Sequence, residues 1–312
     1  MSTVTNIYRA STIKRDRRTK GQIEQLDSQI IEALEADHPQ SVRHVFYLMT
    51  NPRLEESVEK SERGYRHVQD RTVKLRRRGL VPYSWITDAT RRGYFVNTFR
   101  NAADFVAKMK GLYRANLWQH SEYYCEVWCE SRSIASVILA DCQELAVSLY
   151  PSGGFTSIPL AFEAASEIAV ECNGRPVVVL YIGDYDPAGV LIDVKIEEEL
   201  RRHLPTSNVD LDLPSNMLNG VDLEFRRIGI TEEQIDEYDL PTKPRKQTDR
   251  RMLHIQETVE AEAMPAHILR ELLRSEIESL LPPHALDIAK IAEESEKAEL
   301  DLFAKFLEGG DA

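Results

Sequence analysis

Along residues 22–36 the apolar positions Ile23, Leu26, Ile30, Ile31 and Leu34 fall on one side of a helix. The same period predicts a helix over 41–50, with Val42, Val45, Phe46 and Met49 on a narrow core stripe. It predicts another over 61–78, striped by Tyr65, Val68, Thr72 and Leu75. Arg78-Gly79 ends this third helix, and LVPYSWITDATRRGYF (80–95) reads as a strand, a loop and a return. Three helices followed by such a hairpin have the layout of a winged-helix module, a relative of the helix-turn-helix.

After about residue 120 the pattern changes. YYCEVWC (123–129) predicts a strand, residues 133–150 a helix ending in a short strand, and PSGGF (151–155) a turn. A helix over 159–174 stops at Gly174, and the β-branched run Val177–Ile182 predicts a second strand that leads through a turn into another helix. LEFRRIGI (223–230) predicts a strand and 264–281 a helix. Pro282 and Pro283 separate that helix from a closing amphipathic one over 284–307. Strands alternating with helices argue an α/β layered fold with a mainly parallel sheet. The expected division is a flexible basic arm over 1–20, a winged-helix domain over 21–118 and an α/β domain over 119–312. Ile288, Ile291, Leu302 and Phe306 of the last helix can serve pairing of two copies or pack on their own domain.

A length of 312 residues suits two domains, and a 42% hydrophobic content excludes a disordered chain. No apolar run approaches the roughly 18–20 residues that span a bilayer, and the N-terminus lacks the apolar core of a secretory signal. The expectation is a soluble cytoplasmic protein with no membrane contact. Cys125, Cys129, Cys142 and Cys172 are too few for a disulfide framework and lack a zinc-site partner set, so they read as buried reduced thiols. The net charge of −12 hides an asymmetry: residues 1–120 hold 22 of the 39 Lys+Arg but only 13 of the 51 Asp+Glu. A basic half that can meet a polyanion is joined to an acidic half.

On the helix over 61–78, Arg63, Arg66, His67, Arg71, Lys74, Arg77 and Arg78 spread over the face opposite the apolar stripe, and Arg91 and Arg92 follow in the wing. Such a face can lie along the phosphates of double-stranded DNA, or it can be a solvated charged face. On the helix over 41–50, Arg43 and Tyr47 are four apart and fall together on a flank, off the core. A phenol there can attack a phosphodiester and hold the broken end, with the guanidinium on the scissile phosphate. A partly buried tyrosine making one hydrogen bond fits the same segment.

The sharpest local signal is IGDYDPAG (182–189), where Asp184 and Asp186 follow a strand directly. Glu130 ends the VWC strand in the equivalent position, so three carboxylates can converge where ligands of open α/β sheets bind. With Mg²⁺, or Mn²⁺ in its place, they form a hard oxygen site for phosphate; without a cation, mutual repulsion raises a pKa. A solvated acidic pair is the alternative. There is no GxxxxGK[ST] and hence no recognisable ATP loop.

In combination these residues resemble a family. Glu130 after one strand and GDYDPAG after another look like a Toprim domain, here similar to the A subunit of topoisomerase VI and the meiotic double-strand-break protein. That family places a CAP-like winged helix with the catalytic tyrosine before a Rossmann-like Toprim domain. Its Thr-x-Arg-x-x-Tyr-Tyr segment is matched by Ser41-Val42-Arg43-His44-Val45-Phe46-Tyr47, which places Tyr47 on the nucleophile and Arg43 on the arginine. PSGGF, FRRIGITEEQIDEYDLP, KQTDRR and VEAEAMP, with Glu260 and Glu262, also look like segments of this lineage. Phe46 departs from the tyrosine pair, and Ser131 stands where the family often has lysine.

The resemblance covers about residues 40–275 and looks like the compact stand-alone form sometimes called Mini-A. It implies Mg²⁺-dependent DNA cleavage by tyrosine transesterification, with Tyr47 and Arg43 as catalytic residues and Glu130, Asp184 and Asp186 as metal ligands. It also implies a homodimer in which one copy's tyrosine serves the other's acids, a separate ATPase partner for strand passage, and a nucleoid-associated location. Two rivals remain: a hydrolytic Toprim nuclease with no covalent intermediate, and a non-catalytic DNA-binding subunit of a larger complex.

Overall fold

The apolar run Val177–Ile182 (β3) is the central strand of a parallel sheet, and every one of its residues is buried. That is what a strand covered by helices on both faces requires. The structure, a computed structural model, describes residues 18–87, 98–154, 158–204, 220–245 and 251–309. The other sheet strands are Tyr124–Cys129 (β1), Ser148–Pro151 (β2) and Leu223–Gly229 (β4), in the order β2-β1-β3-β4, all parallel. Arg132–Glu144 (α5), Ile158–Glu171 (α6) and Gly189–His203 (α7) connect successive strands. Trp128, Tyr181, Ile168, Ile192 and Ile196 form the core under α6 and α7. Val127, Leu180, Ile138 and Leu273 belong to the core on the other side, formed with α5 and the helix Ala266–Ser279 (α9). Burial pushes the thiols of Cys125, Cys129 and Cys142 up, and all four cysteines are free and buried, as expected of reduced thiols.

The N-terminal helices Lys20–Ala36 (α1), Val42–Met49 (α2) and Glu62–Arg77 (α3) follow the predicted periods. Thr19 and Gln22 cap α1 reciprocally, Ser41 caps α2 and Ser61 caps α3. Leu26, Ile30, Leu34, Val45, Val68 and Leu75 meet between them at zero exposure. This cluster is continuous with the core of α5 and α9. Across the junction, Asp37 accepts the backbone N–H of His267 at 3.0 Å and pairs with Arg270, while α2 rests on the single turn Ala261–Ala263.

Residues 80–87 do not form the expected strand, and the loop and return expected over 88–95 lie outside the described residues. Pro82 opens a single helical turn, Tyr83–Trp85, and only an isolated bridge joins Ile86 to Gln40. A helix absent from the sequence reading, Ala102–Met109 (α4), follows. A second such helix, Glu232–Glu237 (α8), follows β4, and Lys243–Pro244 (β5) pairs with Glu257–Thr258 (β6). The closing helix Ala285–Gly309 (α10) packs on α4 and buries Ala289, Glu293 and Ala304, Glu293 accepting the Ala115 N–H at 3.3 Å. Ile288, Ile291, Leu302 and Phe306 are all more than 60% exposed, so they do not pack on their own domain. No helix among the described residues is long and apolar enough to cross a membrane.

Candidate functional site

The order β2-β1-β3-β4 makes the chain leave β1 toward one edge and return to build β3 on the other side, so a crevice opens at the carboxyl ends of β1 and β3. Glu130 leaves β1 there and Asp184 and Asp186 leave β3. The backbone of Glu130 is fixed on both sides: its N–H donates to Ile182 O at 2.9 Å, and its carbonyl accepts from Gly153 at 2.9 Å and Gly154 at 3.3 Å. Those glycines have φ of 69° and 100°, a region that L side chains rarely adopt. The PSGGF turn therefore serves to hold Glu130, and its Phe155 lies outside the described residues.

The three carboxylates each spend one oxygen on backbone. Glu130 Oε2 accepts from Asp184 N at 3.0 Å, and Asp184 Oδ1 from Ala261 N at 2.8 Å. Asp186 Oδ1 accepts from Ala188 and Gly189 at 2.8 and 2.6 Å, at the start of α7. Gly189 has to be glycine, because a Cβ there would lie 2.2 Å from Asp184 O and 3.2 Å from Glu130 Oε2. Arg227 of β4 braces the turn from behind: its guanidinium donates to Gly183 O at 2.9 Å, to Asp184 O, to Ile230 O at 2.9 Å and to Asp193 at 2.6 Å.

Burial raises the Asp184 pKa well above its ordinary value, and the charges of Glu130 and Glu262 raise it further. Burial likewise raises Glu130 and Glu262. Glu262, 6% exposed, accepts a hydrogen bond from Ser131 at 3.3 Å. Crowded carboxylates of this kind are stabilised by a cation, and an all-oxygen donor set suits a hard dication. Glu130, Asp184 and Asp186 each keep one oxygen without a hydrogen bond among the described residues. The donor chemistry fits, but among the described residues no three such side chains are gathered in metal-holding geometry.

Tyr47 is not on an open flank. It is 5% exposed, within the core cluster, which overturns the expectation that it stands off the core. The period of α2 alone suggested a flank, and residues from β5 and the Val259–Ala263 segment cover it. Its hydroxyl lies near the Glu260 carboxylate but outside hydrogen-bonding geometry, and is buried without a partner among the described residues. Burial, then the Glu260 charge, raises its pKa far above the usual phenol value. Arg43 binds Glu260 Oε2 through Nε at 2.7 Å and Nη2 at 2.6 Å, and Lys243 binds Oε1. Burial pushes Glu260 up, but Lys243 and Arg43 outweigh it and hold its carboxyl below the ordinary value. Glu260 and Glu262 flank Ala261, whose N–H binds Asp184, so α2 and the acid turn meet through this one segment of a single chain.

The basic face of α3 divides. Arg71 turns inward, its Nε 2.7 Å from Asp27 in an ion pair with side chains 12% and 10% exposed. Arg63 and Arg66 are exposed beside Glu59 and Glu62, and Arg78 stands 3.7 Å from Asp27. Lys74 and Arg77 are exposed. Arg91 and Arg92 lie outside the described residues, as do residues 1–17 of the arm.

Three further contributors carried weak sequence signals. Arg227 lies in the predicted strand LEFRRIGI, Glu260 in the VEAEAMP likeness and Lys243 in no motif. The one available clue is an Arg near the carboxyl end of β4, the last strand of the parallel sheet. The chain matches no family model, no curated protein and no solved structure.

Proposed function

We propose that this protein cleaves the backbone of double-stranded DNA in the manner of the topoisomerase VI A family, with Tyr47 as nucleophile and Mg²⁺ or Mn²⁺ as cofactor. The observation that carries this reading is the docking of α2 on Ala261–Ala263, which brings Arg43 and Tyr47 to the segment that hydrogen-bonds Asp184. The Tyr47 oxygen bonds to phosphorus as its proton passes to a neighbouring base, and the P–O bond to one sugar oxygen breaks, that oxygen taking up a proton from solvent. Glu260 stands beside the hydroxyl as the nearest acceptor, and Arg43 neutralises charge on the phosphate. Glu130, Asp184 and Asp186 would hold the dication, which when bound supplies Lewis-acid stabilisation of the phosphate oxygens. The exposed arginines of α3 supply backbone contacts to DNA. A homodimer, for which the exposed stripe on α10 offers an apolar face, and a separate ATPase partner belong to the same reading.

One observation favours a second reading, hydrolysis by water at the acid cluster with Tyr47 as a packing residue: Tyr47 is almost fully buried. The test is supercoiled plasmid incubated with protein and Mg²⁺ or Mn²⁺, stopped with detergent and divided between protease and no protease. The proposal expects protein covalently attached to broken DNA, lost in Tyr47→Phe and in Asp186→Ala. Cleavage that survives Tyr47→Phe and disappears in Asp186→Ala selects hydrolysis. Salt-sensitive binding with no cutting in either metal rejects both.

A further inference from the structure

Groups from three separated segments converge on a single carboxylate. Arg43 grips Glu260 through two nitrogens, Lys243 holds its other oxygen, and the Tyr47 hydroxyl stands beside it. Lys60 completes the set. Its Nζ lies 5.5 Å from the centre of the Tyr47 ring, and that of Lys243 lies 5.6 Å from the same point. The Lys60 ammonium is anchored by the carbonyls of Pro241 and Thr242 at 2.6 and 2.9 Å. Arg43 and Lys243 thus hold one carboxylate with the Lys60 ammonium nearby, and the three cations gather in a partly desolvated place beside Glu257, Glu260 and Glu262. Burial, then repulsion from Lys243, pushes Lys60 down to about 8.

A forked guanidinium, two ammonium groups and a phenol form the donor set that recognises a tetrahedral oxyanion. A carboxylate reproduces two of the oxygens that such an anion presents. Arg43 and Lys243 keep 43% and 39% of their side-chain surface, so solvent and an incoming anion can reach the pair. Glu262 and Asp184 lie behind it and oppose a second negative charge, which leaves the cationic side as the route of entry.

We infer that Arg43, Lys60, Lys243 and Tyr47 form a phosphate-binding site, and that Glu260 fills it as an internal counter-anion until a phosphate group displaces it. This deepens the cleavage reading by naming where the phosphate is held, and rests on that reading only for the source of the phosphate. Glu260 competes with the ligand, so the apparent affinity falls by the fraction of molecules in which the site is filled from within.

The test uses the full chain and two probes, inorganic phosphate and a short DNA duplex, titrated against chloride at matched ionic strength by calorimetry. Glu260→Gln keeps the shape and removes the charge, and is expected to bind phosphate about tenfold or more tightly than wild type. Glu260→Asp is too short to span both cations and is expected to fall between them. It decides the matter if the glutamine variant does not fold. Adding Lys243→Met to either variant is expected to abolish the gain. Equal phosphate affinity in wild type and every folded variant overturns the proposal. A gain with phosphate and duplex alike assigns the site to a phosphodiester. A gain with phosphate alone keeps the anion site and assigns it to free phosphate. Failure to form a covalent DNA adduct would reject the tyrosine mechanism without touching this result.

Discussion

Glu130 Oε2 accepts the backbone N–H of Asp184 at 3.0 Å, so the side chain at the end of one strand is held by the main chain at the end of its neighbour. The bond makes the spacing of the two carboxylates a property of the sheet rather than of a loop. The same oxygen lies where a side chain on Gly189 would intrude.

Gly189→Ala therefore forces the turn apart. Overpacking of this kind costs about 1–3 kcal/mol, and the displaced Glu130 is expected to lose its bond to Asp184. Calorimetry is expected to show a lower melting temperature, and the plasmid assay a loss of cleavage larger than the stability loss explains. Wild-type melting in this variant would mean that the close approach to Asp184 O is not maintained in solution.

Arg71 and Arg66 lie on the same helix and are expected to behave oppositely. Among the described residues, Arg71→Ala leaves Asp27 buried with only Arg78 at 3.7 Å, and breaking a buried pair costs about 3–5 kcal/mol. Urea unfolding is expected to show that loss, with the salt dependence of DNA binding unchanged. Arg66→Ala is expected to leave stability within about 0.5 kcal/mol. If it meets a phosphate, the slope of log K on log salt falls by about 0.9.

Glu126 gives the protein a pH signature away from the candidate site. It is fully buried, receives Trp128 Nε1 at 3.0 Å and the Tyr124 hydroxyl at 3.1 Å, and burial raises its pKa to about 7 from an ordinary 4.5. The folded state binds this proton more tightly than the unfolded one, so the contribution to stability falls as pH rises from about 4.5 to about 7 and is flat above. The full penalty is about 3 kcal/mol. In Glu126→Gln the amide can donate to the tyrosine oxygen and accept from the indole, and the slope between pH 5 and 7 is expected to flatten. An unchanged slope in denaturant titrations across that range would reject the assignment.

Tyr47→Phe separates packing from chemistry. The hydroxyl is buried without a hydrogen bond among the described residues and sits beside a carboxylate, so its removal deletes an unsatisfied polar group. Melting is expected to stay at the wild-type temperature or rise, while the covalent DNA adduct disappears. A large fall in melting temperature would mean that the hydroxyl makes a bond that this conformation lacks.

Much of the architecture was legible. Val177–Ile182 is apolar because it is covered on both faces, and Ser41 and Ser61 mark the starts of α2 and α3. Helix α4 leaves no clear period because it is short and buries only Ala103, with Phe105 and Met109 half in solvent. The start of α8 is marked only by Thr231 and Gln234, a reciprocal cap on a helix of six residues with too short a run for an apolar period. The surroundings of Tyr47 were illegible in principle: periodicity reports one helix face, and Lys243 and Glu260 arrive from about 200 residues away. The acids after β1 and β3 were readable because strand ends fix their position, whereas the bracing by Arg227 depends on sheet order.

Two ion pairs tie down the N-terminal end of α2: Asp37, just before the helix, holds Arg270, and Arg43 in its first turn holds Glu260. The first mooring is 14% and 18% exposed, while Arg43 is 43% exposed, so added electrolyte loosens the second before the first. Salt therefore strains the candidate site before it strains the fold, because the pair that holds Glu260 yields while the junction at Asp37 still stands.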